Sequence, residues 1–221
     1  MKNSRLLAAF VLAGLFGAAA VLYLSQPREP VYNGQPVSHW IRGLGSNHVT
    51  RNEASNKAFH QIGTNALPVL IKMLRAKDSK VKLWVRRLSG KPAFVRHHFT
   101  LAEADRISAV LGFSELGPLA KPAVPALIAL LPDDEISEDA ARALASIGSE
   151  AVKPLIAALK NPNPKTRLGA ITALGGIGSG ASQALPALSR CLRDEDVTVR
   201  VAAAEAIKKI NPKPSVKERA E

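Results

Sequence analysis

The feature that most constrains the fold of this chain is a two-residue mark, an aliphatic residue followed by Gly or Asn, that recurs along it. Successive marks are 54, 31, 30 and 33 residues apart. The five marks are Ile62-Gly63, Leu116-Gly117, Ile147-Gly148, Ile177-Gly178 and Ile210-Asn211. A period near 30 residues is typical of arrays in which each unit packs on its neighbours and cannot bury its apolar face alone.

The residues before each mark predict a helix with one face of small side chains. The position seven residues earlier is always Ser or Ala, the position four earlier is Ala or Gly, and the position three earlier is Phe, Leu or Ile. This spacing places all three positions on one helical face and lets a neighbouring helix approach closely. The residue that ends each helix should take a positive φ, which predicts structural roles for Gly63, Gly117, Gly148 and Gly178.

A second helix is predicted after each of the first four marks, over residues 66–74, 123–131, 151–159 and 184–192. Each carries a proline near its start, which a first helical turn tolerates because the missing N–H has no partner there. These prolines are Pro68, Pro125, Pro154 and Pro186. The chain is therefore expected to be all-α, an α-α superhelix of about five helical pairs over residues 38–210.

This pattern resembles the short HEAT repeats of about 30 residues, of the phycobilisome lyase-like type, over residues 50–210. The resemblance implies a solenoid that binds other proteins. It also implies polar contacts between an Asp or Asn at the start of each first helix and an Arg further along it. The residues that match are Asn163 with Arg167, Asp196 with Arg200, and Arg106 at the same register, whereas Ser137 and Asn52 occupy the arginine position of the other two units.

Residues 1–24 contain an uncharged apolar run, residues 6–24, which is long enough to span a bilayer as a helix. Lys2 and Arg5 precede it, which favours a cytoplasmic N-terminus and an extracytoplasmic repeat domain. We expect an uncleaved single-pass anchor. The alternative is a signal peptide cleaved near Ala18–Ala20, which would leave a secreted or periplasmic protein. Residues 25–37 are rich in proline and are expected to be a linker, and residues 211–221 a disordered tail.

The longest spacing between marks reveals an insertion at about residues 78–99, and this part of the chain is basic. Residues 31–100 have a net charge of +10, whereas residues 101–221 have none. The insertion could bind an acidic protein, anionic lipid headgroups or nucleic acid, of which nucleic acid is least favoured for an exported domain. It could equally be a helix that packs Trp84 on the stack and keeps its cations in water. The candidate partner-binding residues are Lys72, Arg75, Lys80, Lys82, Arg86, Arg87, Lys91 and Arg96.

No catalytic, cofactor-binding or metal-binding residue is predicted. The five histidines lack the spacing of metal ligands, and Cys191 is the only cysteine and is expected in the core. The glycine-rich run at residues 175–180 lacks the Lys-Ser/Thr of a phosphate-binding loop.

The expected function is a non-enzymatic, membrane-anchored scaffold that binds an unidentified protein, with an acidic protein as one candidate, and that has no small-molecule substrate. A lyase or chaperone-like activity on a tetrapyrrole is the alternative implied by the resemblance. Binding of anionic lipid or nucleic acid through residues 72–96 is a further alternative.

Overall fold

A computed structural model describes residues 29–44, 49–78 and 102–212. Contacts within the chain define two units, residues 1–31 and residues 32–221. The predicted membrane segment, most of the basic insertion and most of the predicted tail lie outside the described residues. Among those that are described, no helix is long and apolar enough to cross a bilayer.

The described part is a stack of helical pairs, as the repeat predicts. The first helix of each unit is α2 (Val49–Ile62), α4 (Ala102–Leu116), α6 (Ser137–Ile147), α8 (Pro164–Ile177) and α10 (Val197–Ile210). The second helices are α3 (Leu67–Leu74), α5 (Val124–Ile128), α7 (Ser149–Ala158) and α9 (Leu185–Cys191). The described residues thus form four pairs and a final single helix, rather than five pairs.

The face of small residues is where the first helices meet. From α4 onward each first helix packs on the next, and the residues seven positions before the marks are all buried. Phe59, Phe113, Leu144 and Leu174, three positions before the marks, are at most 1% exposed. Close approach of helices thus comes from the Ala and Gly positions, and the apolar volume comes from the larger side chain beside them.

The four glycine marks have the expected backbone conformation. Their φ values are 55°, 50°, 74° and 68° at Gly63, Gly117, Gly148 and Gly178 respectively. Asn211, the fifth mark, differs, with φ of −127°. Pro212 follows it, and a residue before proline is driven to the extended region, so the same position cannot repeat the left-handed turn.

The second helices begin in two different ways. In three units a 3-10 segment follows the glycine, and Pro68, Pro125 and Pro186 then lie in the first turn of the α-helix as predicted. In the third unit the helix starts immediately at Ser149, so Pro154 lies inside α7 rather than in its first turn. The first-turn prediction is therefore wrong for this proline, because the unit lacks the 3-10 connection that delays the other helices.

An N-terminal hairpin and a short helix precede the first pair. Strands β1 (Val31–Tyr32) and β2 (Gln35–Pro36) pair across Asn33 and Gly34, both with positive φ, which is the backbone of a type I′ turn. The structure therefore has strands where the prolines predicted a linker. Helix α1 (Val37–Leu44) packs against α2, α3 and α4, with Ile41 fully buried.

Candidate functional site

The arginine predicted near the start of each first helix ties neighbouring units together. The Arg167 side chain is 7% exposed. Its Nη1 donates to the carbonyl oxygens of Asn161 and Pro162, both at 3.0 Å, in the loop that leads into its own helix. Its Nη2 donates to Asp194 Oδ1 at 2.7 Å and to Glu195 Oε1 at 3.2 Å, in the loop of the next unit.

Arg106 makes the same kind of contacts two units earlier in the stack. Its Nη1 donates to the carbonyl oxygen of Ala76 at 2.9 Å and to Glu135 Oε1 at 3.2 Å, and its Nε donates to Asp139 Oδ2 at 3.1 Å. Arg200, in the last described helix, donates to the carbonyl oxygens of Asp194 and Glu195. The three arginines therefore hold the loops of their own units to the stack. Arg106 and Arg167 also bind acids of the next unit, in its loop and, for Asp139, in the first turn of α6.

The pairing of these arginines with the residue four positions earlier takes a different form in the structure. Asn163 and Asp196 are helix N-caps: Asn163 accepts from the N–H of Lys165, and Asp196 accepts from the N–H groups of Thr198 and Val199. Hydrogen bonds from Thr198 to Asp196 lower the pKa of that carboxyl. An N-cap side chain must lie over the first turn, so the guanidinium binds the loop carbonyls instead.

The electrostatics of this network follow from the bond between Arg167 and Asp194. Partial burial acts to raise the pKa of Asp194, but hydrogen bonds from the Arg167 side chain and the Asp196 N–H outweigh it, so the pKa lies below its ordinary value. The same hydrogen bond raises the pKa of Arg167. The Arg167 Nε is buried without a hydrogen-bond partner. The hydrogen bonds of Arg167 and Asp194 thus join neighbouring units of the stack.

The series of arginines is interrupted at Ser137, as the sequence indicates. There Lys165 Nζ lies 2.6 Å from Asp134 Oδ2 across the gap. On the preceding side, Lys77 Nζ lies 2.6 Å from Asp133 Oδ2, which raises the pKa of Lys77 and lowers that of Asp133. These pairs are exposed and stabilise the stack less than the buried arginines do.

The insertion leaves the stack at this same edge. Asp78, the last described residue before it, accepts a hydrogen bond at 3.2 Å from the N–H of Ala102, the first residue of α4. This hydrogen bond joins the two residues that flank segment 79–101. Of the eight candidate partner-binding residues, Lys72 and Arg75 are exposed at the end of α3. The other six lie outside the described residues: Lys80, Lys82, Arg86, Arg87, Lys91 and Arg96.

A charged surface that the sequence analysis missed lies on the second helices. Besides Lys72 and Arg75, four exposed cations lie on α7, on α9 or just beyond their ends: Lys153, Lys160, Arg190 and Arg193. We call these six residues the basic face. Residues 101–221 have equal numbers of acids and cations. Of the described acids among them, all but Glu150 lie on first helices and loops, so the zero net charge of this part of the chain conceals the basic face. Aligning the second helices as carefully as the first would have revealed it.

The grooves in the described structure are shallow. One of about 160 Å³ lies between α7 and α9, with Ile156, Ala187 and Cys191 among its apolar lining and Lys160 and Arg190 at its edge. Another, of about 280 Å³, lies between α6 and α8 beside Ser137. Burial raises the pKa of the Cys191 thiol, as expected for a core residue rather than a nucleophile. Within the described ranges no group of three or more His, Cys, Asp or Glu side chains could hold a metal ion.

Two family models match the C-terminal part of the chain. The model described as HEAT repeats matches residues 152–219, and the model described as PBS lyase HEAT-like repeat matches residues 138–161. No curated protein matches the sequence.

Solved structures of engineered and designed proteins resemble the chain weakly. A crystal structure of an engineered protein is 19% identical over 79% of this chain and 96% of its own, with a TM-score of 0.29. A second engineered protein is 20% identical over 79% and 98%, with a TM-score of 0.31. A designed armadillo repeat protein is 16% identical over 80% and 100%, with a TM-score of 0.30.

Proposed function

Because this chain is a HEAT-repeat protein with a repeat of the phycobilisome lyase-like type, we propose that it is a non-enzymatic scaffold that binds another protein. Repeats of this kind expose equivalent positions at a constant spacing, and such surfaces suit extended partners. A fold alone does not define an activity. The proposal therefore rests on the surface that the stack displays.

The observation that carries the proposal is that the loop edge and the second helices of the stack differ in how their polar residues are bonded. Arg106, Arg167 and Arg200 bind acids of the loop edge or the loop backbone, so these contacts stabilise the array. The exposed positions of the second helices recur in the same register and are not used in this way: Lys72, Ala129, Ala157 and Arg190 are equivalent and all exposed. This register provides a long surface at which a partner can contact several units at once.

The proposal includes a membrane tether. The apolar run of residues 6–24, preceded by Lys2 and Arg5, is of bilayer length and supports a single-pass anchor with the repeat domain outside the cytoplasm. Protease digestion of a C-terminal tag in intact cells stripped of their wall tests this topology. Digestion from outside, with full-length protein in the membrane fraction beforehand, is the expected result. Protection until the membrane is lysed would contradict it.

Photo-crosslinking in cells tests the scaffold itself. A photoreactive amino acid replaces Ala157 on α7 in one full-length variant and Thr172 on α8 in another, both of which are exposed. We expect at least one position to give a discrete crosslinked band that contains a second protein and requires light. A matched variant with the probe at the buried Ala173 should give none. Absence of any protein adduct at both exposed positions would refute the scaffold function.

The match of residues 138–161 to the PBS lyase HEAT-like repeat favours one alternative, action on a tetrapyrrole. Titration of the full-length protein with a bilin tests it by absorbance. A saturable spectral shift would support this alternative. No shift at concentrations well above those of the protein would dismiss it.

A further inference from the structure

The second helices differ from the rest of the stack in charge. In the described residues, the first helices and the loops carry both acids and cations. The four second helices and the two residues that follow each carry the basic face and one acid, Glu150. That carboxylate lies 2.6 Å from Lys121 Nζ, and the bond lowers its pKa. Lys153 also acts on this carboxylate through its charge, so a single acid on these helices offsets only part of the positive charge of the basic face.

The cations of the basic face are free of ion pairs. Within the described part of the chain, none of their side chains lies within 4.0 Å of a carboxylate, although seven other Lys and Arg side chains do. Lys57, Lys208 and Lys209 on the first helices also make no ion pair in the described residues, but they share their helices with acids such as Glu53 and Glu205. The second helices carry six such cations and a single acid, so they present a positive potential. Such a potential attracts an acidic partner and raises its rate of association.

Apolar side chains lie in line beside these cations. Ile71, Ile128 and Ile156 occupy the equivalent position of three successive second helices, and each is half-buried against the core. Between α7 and α9 the surface deepens into the groove of about 160 Å³ edged by Lys160 and Arg190. Asp194 also lines this groove, but its carboxylate is bonded to Arg167 and to the Asp196 N–H. Apolar positions therefore continue from α3 through α5 to α7, and cations lie beside them on α3, α7 and α9.

We propose that the basic face binds an extended, acidic segment of the partner protein across α3, α5, α7 and α9, an inference that rests on the proposed scaffold function. Packed helices are about 8–10 Å apart, and an extended chain advances about 3.3 Å per residue. One unit therefore corresponds to about three residues of such a segment. Its carboxylates pair with the cations and its apolar side chains cover the line of isoleucines and the groove.

The apolar line favours a polypeptide over a membrane surface. A lipid headgroup is recognised through charge and phosphate contacts, which need no apolar positions at the spacing of one unit. A polypeptide side chain uses such positions, and backbone spacing then fixes which residues of the segment meet each unit. The experiment must therefore distinguish binding of an anionic membrane from binding of a polypeptide.

Fluorescence anisotropy with a defined probe tests the proposal. The probe is a labelled peptide of four Glu-Val-Thr triplets, and the protein is the full chain in a non-ionic detergent. We expect saturable binding that weakens with salt, and no binding of a matched peptide of four Lys-Val-Thr triplets. The double variant Lys160→Glu, Arg190→Glu should bind the acidic peptide at least about tenfold more weakly, because two attractive contacts become repulsive.

The matched control reverses two exposed cations on first helices, Lys57→Glu and Lys208→Glu, which changes the net charge equally. It should bind within about twofold of the unaltered chain if the face, rather than total charge, is responsible. Circular dichroism of both double variants checks that the helices remain. Equal weakening in both variants, or no binding of the acidic peptide at all, would overturn the inference.

Competition separates a lipid partner from a protein. If soluble short-chain phosphatidylglycerol displaces the peptide at concentrations comparable with those of the peptide itself, the face is a headgroup site and the inference is wrong. Crosslinking separates this failure from failure of the scaffold function. A protein adduct at Thr172 and none at Ala157 would retain the scaffold and remove the basic face from it.

Discussion

At the scale of single residues, the buried arginines show that a polar side chain can determine how repeat units join. Arg167 makes four hydrogen bonds, two to its own loop and two to acids of the next. A guanidinium suits this position because its donors diverge in a fixed plane and reach both loops at once. The bonds compensate the cost of burying the charge only while all partners are present.

Removing this side chain should therefore destabilise the whole domain. We expect Arg167→Met to lower the free energy of unfolding by about 3 kcal/mol, since the carbonyl oxygens of the loop and the Asp194 carboxylate lose their donor. Chemical denaturation followed by circular dichroism measures it. The matched control is Arg142→Met. The Arg142 side chain forms ion pairs but is 57% exposed, so its loss should lower the free energy of unfolding by at most about 0.5 kcal/mol. Equal losses in the two variants would contradict this account.

The same pair predicts a dependence on pH. Because the pKa of Asp194 is lowered in the folded state, its contribution is present above the ordinary value near 3.8 and is lost as the pH falls through the folded pKa. The difference in stability between the unaltered chain and Arg167→Met should therefore narrow below about pH 4. Urea denaturation from pH 7 to acidic pH tests this. A difference that stays constant down to acidic pH would exclude the ionised pair as its source.

At the scale of the helices, the closeness of neighbouring units is decided by a few small residues. Gly112 occupies a position where the other first helices have Ala, four residues before the mark. A Cβ built on it would overlap Leu70 Cδ2 on α3 and lie 3.4 Å from Phe59 Cζ. The glycine thus leaves space for the side chain of Leu70, which is fully buried.

This close packing predicts that Gly112→Ala is harmful although alanine is the better helix former. We expect a loss of about 1–3 kcal/mol from overpacking, which exceeds the gain of about 1 kcal/mol from helix propensity. In a Leu70→Ala background the same change should cost much less, because the overlapping methyl group is gone. A double-mutant cycle by thermal or chemical unfolding measures this coupling. Additive effects would show that the two side chains do not compete for the same space.

At the scale of the whole molecule, the insertion interrupts the chain and leaves the stack intact. Arg167 and Arg200 each bind a loop carbonyl six residues earlier in the chain, and Arg106 binds the equivalent carbonyl of Ala76 across 30 residues. The contact is the same in both cases, although the arginine and the carbonyl are 30 residues apart in one and 6 residues apart in the other. The insertion therefore adds 24 residues, which is the difference between 30 and 6. The insertion is therefore an addition to the loop edge, and the contacts described here do not depend on it.

Deleting residues 78–101 should restore the ordinary loop length. Because Asp78 is removed with them, Ala102→Asp supplies a cap at the position that Asn163 and Asp196 occupy in their units. We expect this variant to keep its helicity and to unfold in one cooperative transition. The control is the same deletion with Ala102 unchanged, which should be less stable by about 1 kcal/mol. Loss of cooperativity in both variants would mean that the insertion is part of the core.

The sequence by itself determined the repeating helical architecture. Helix periodicity and a glycine with positive φ are local requirements, so they leave a regular trace at each mark, and the buried faces of the first helices follow from it. The Asn33-Gly34 turn was also readable, since this dipeptide favours a type I′ hairpin. The late position of Pro154 was not evident, because it depends on a connection that differs between units of similar sequence.

Only the tertiary structure decided what the polar residues do. The sequence places Arg106, Arg167 and Arg200 at one register, but their partners lie in loops and in a helical first turn that are brought together by stacking, up to 33 residues away. The basic face likewise exists because equivalent positions of separate helices share one surface. Local sequence specifies a helix through interactions within a few residues. A charged surface or a network between units is a property of distant segments in contact, and packing alone creates it.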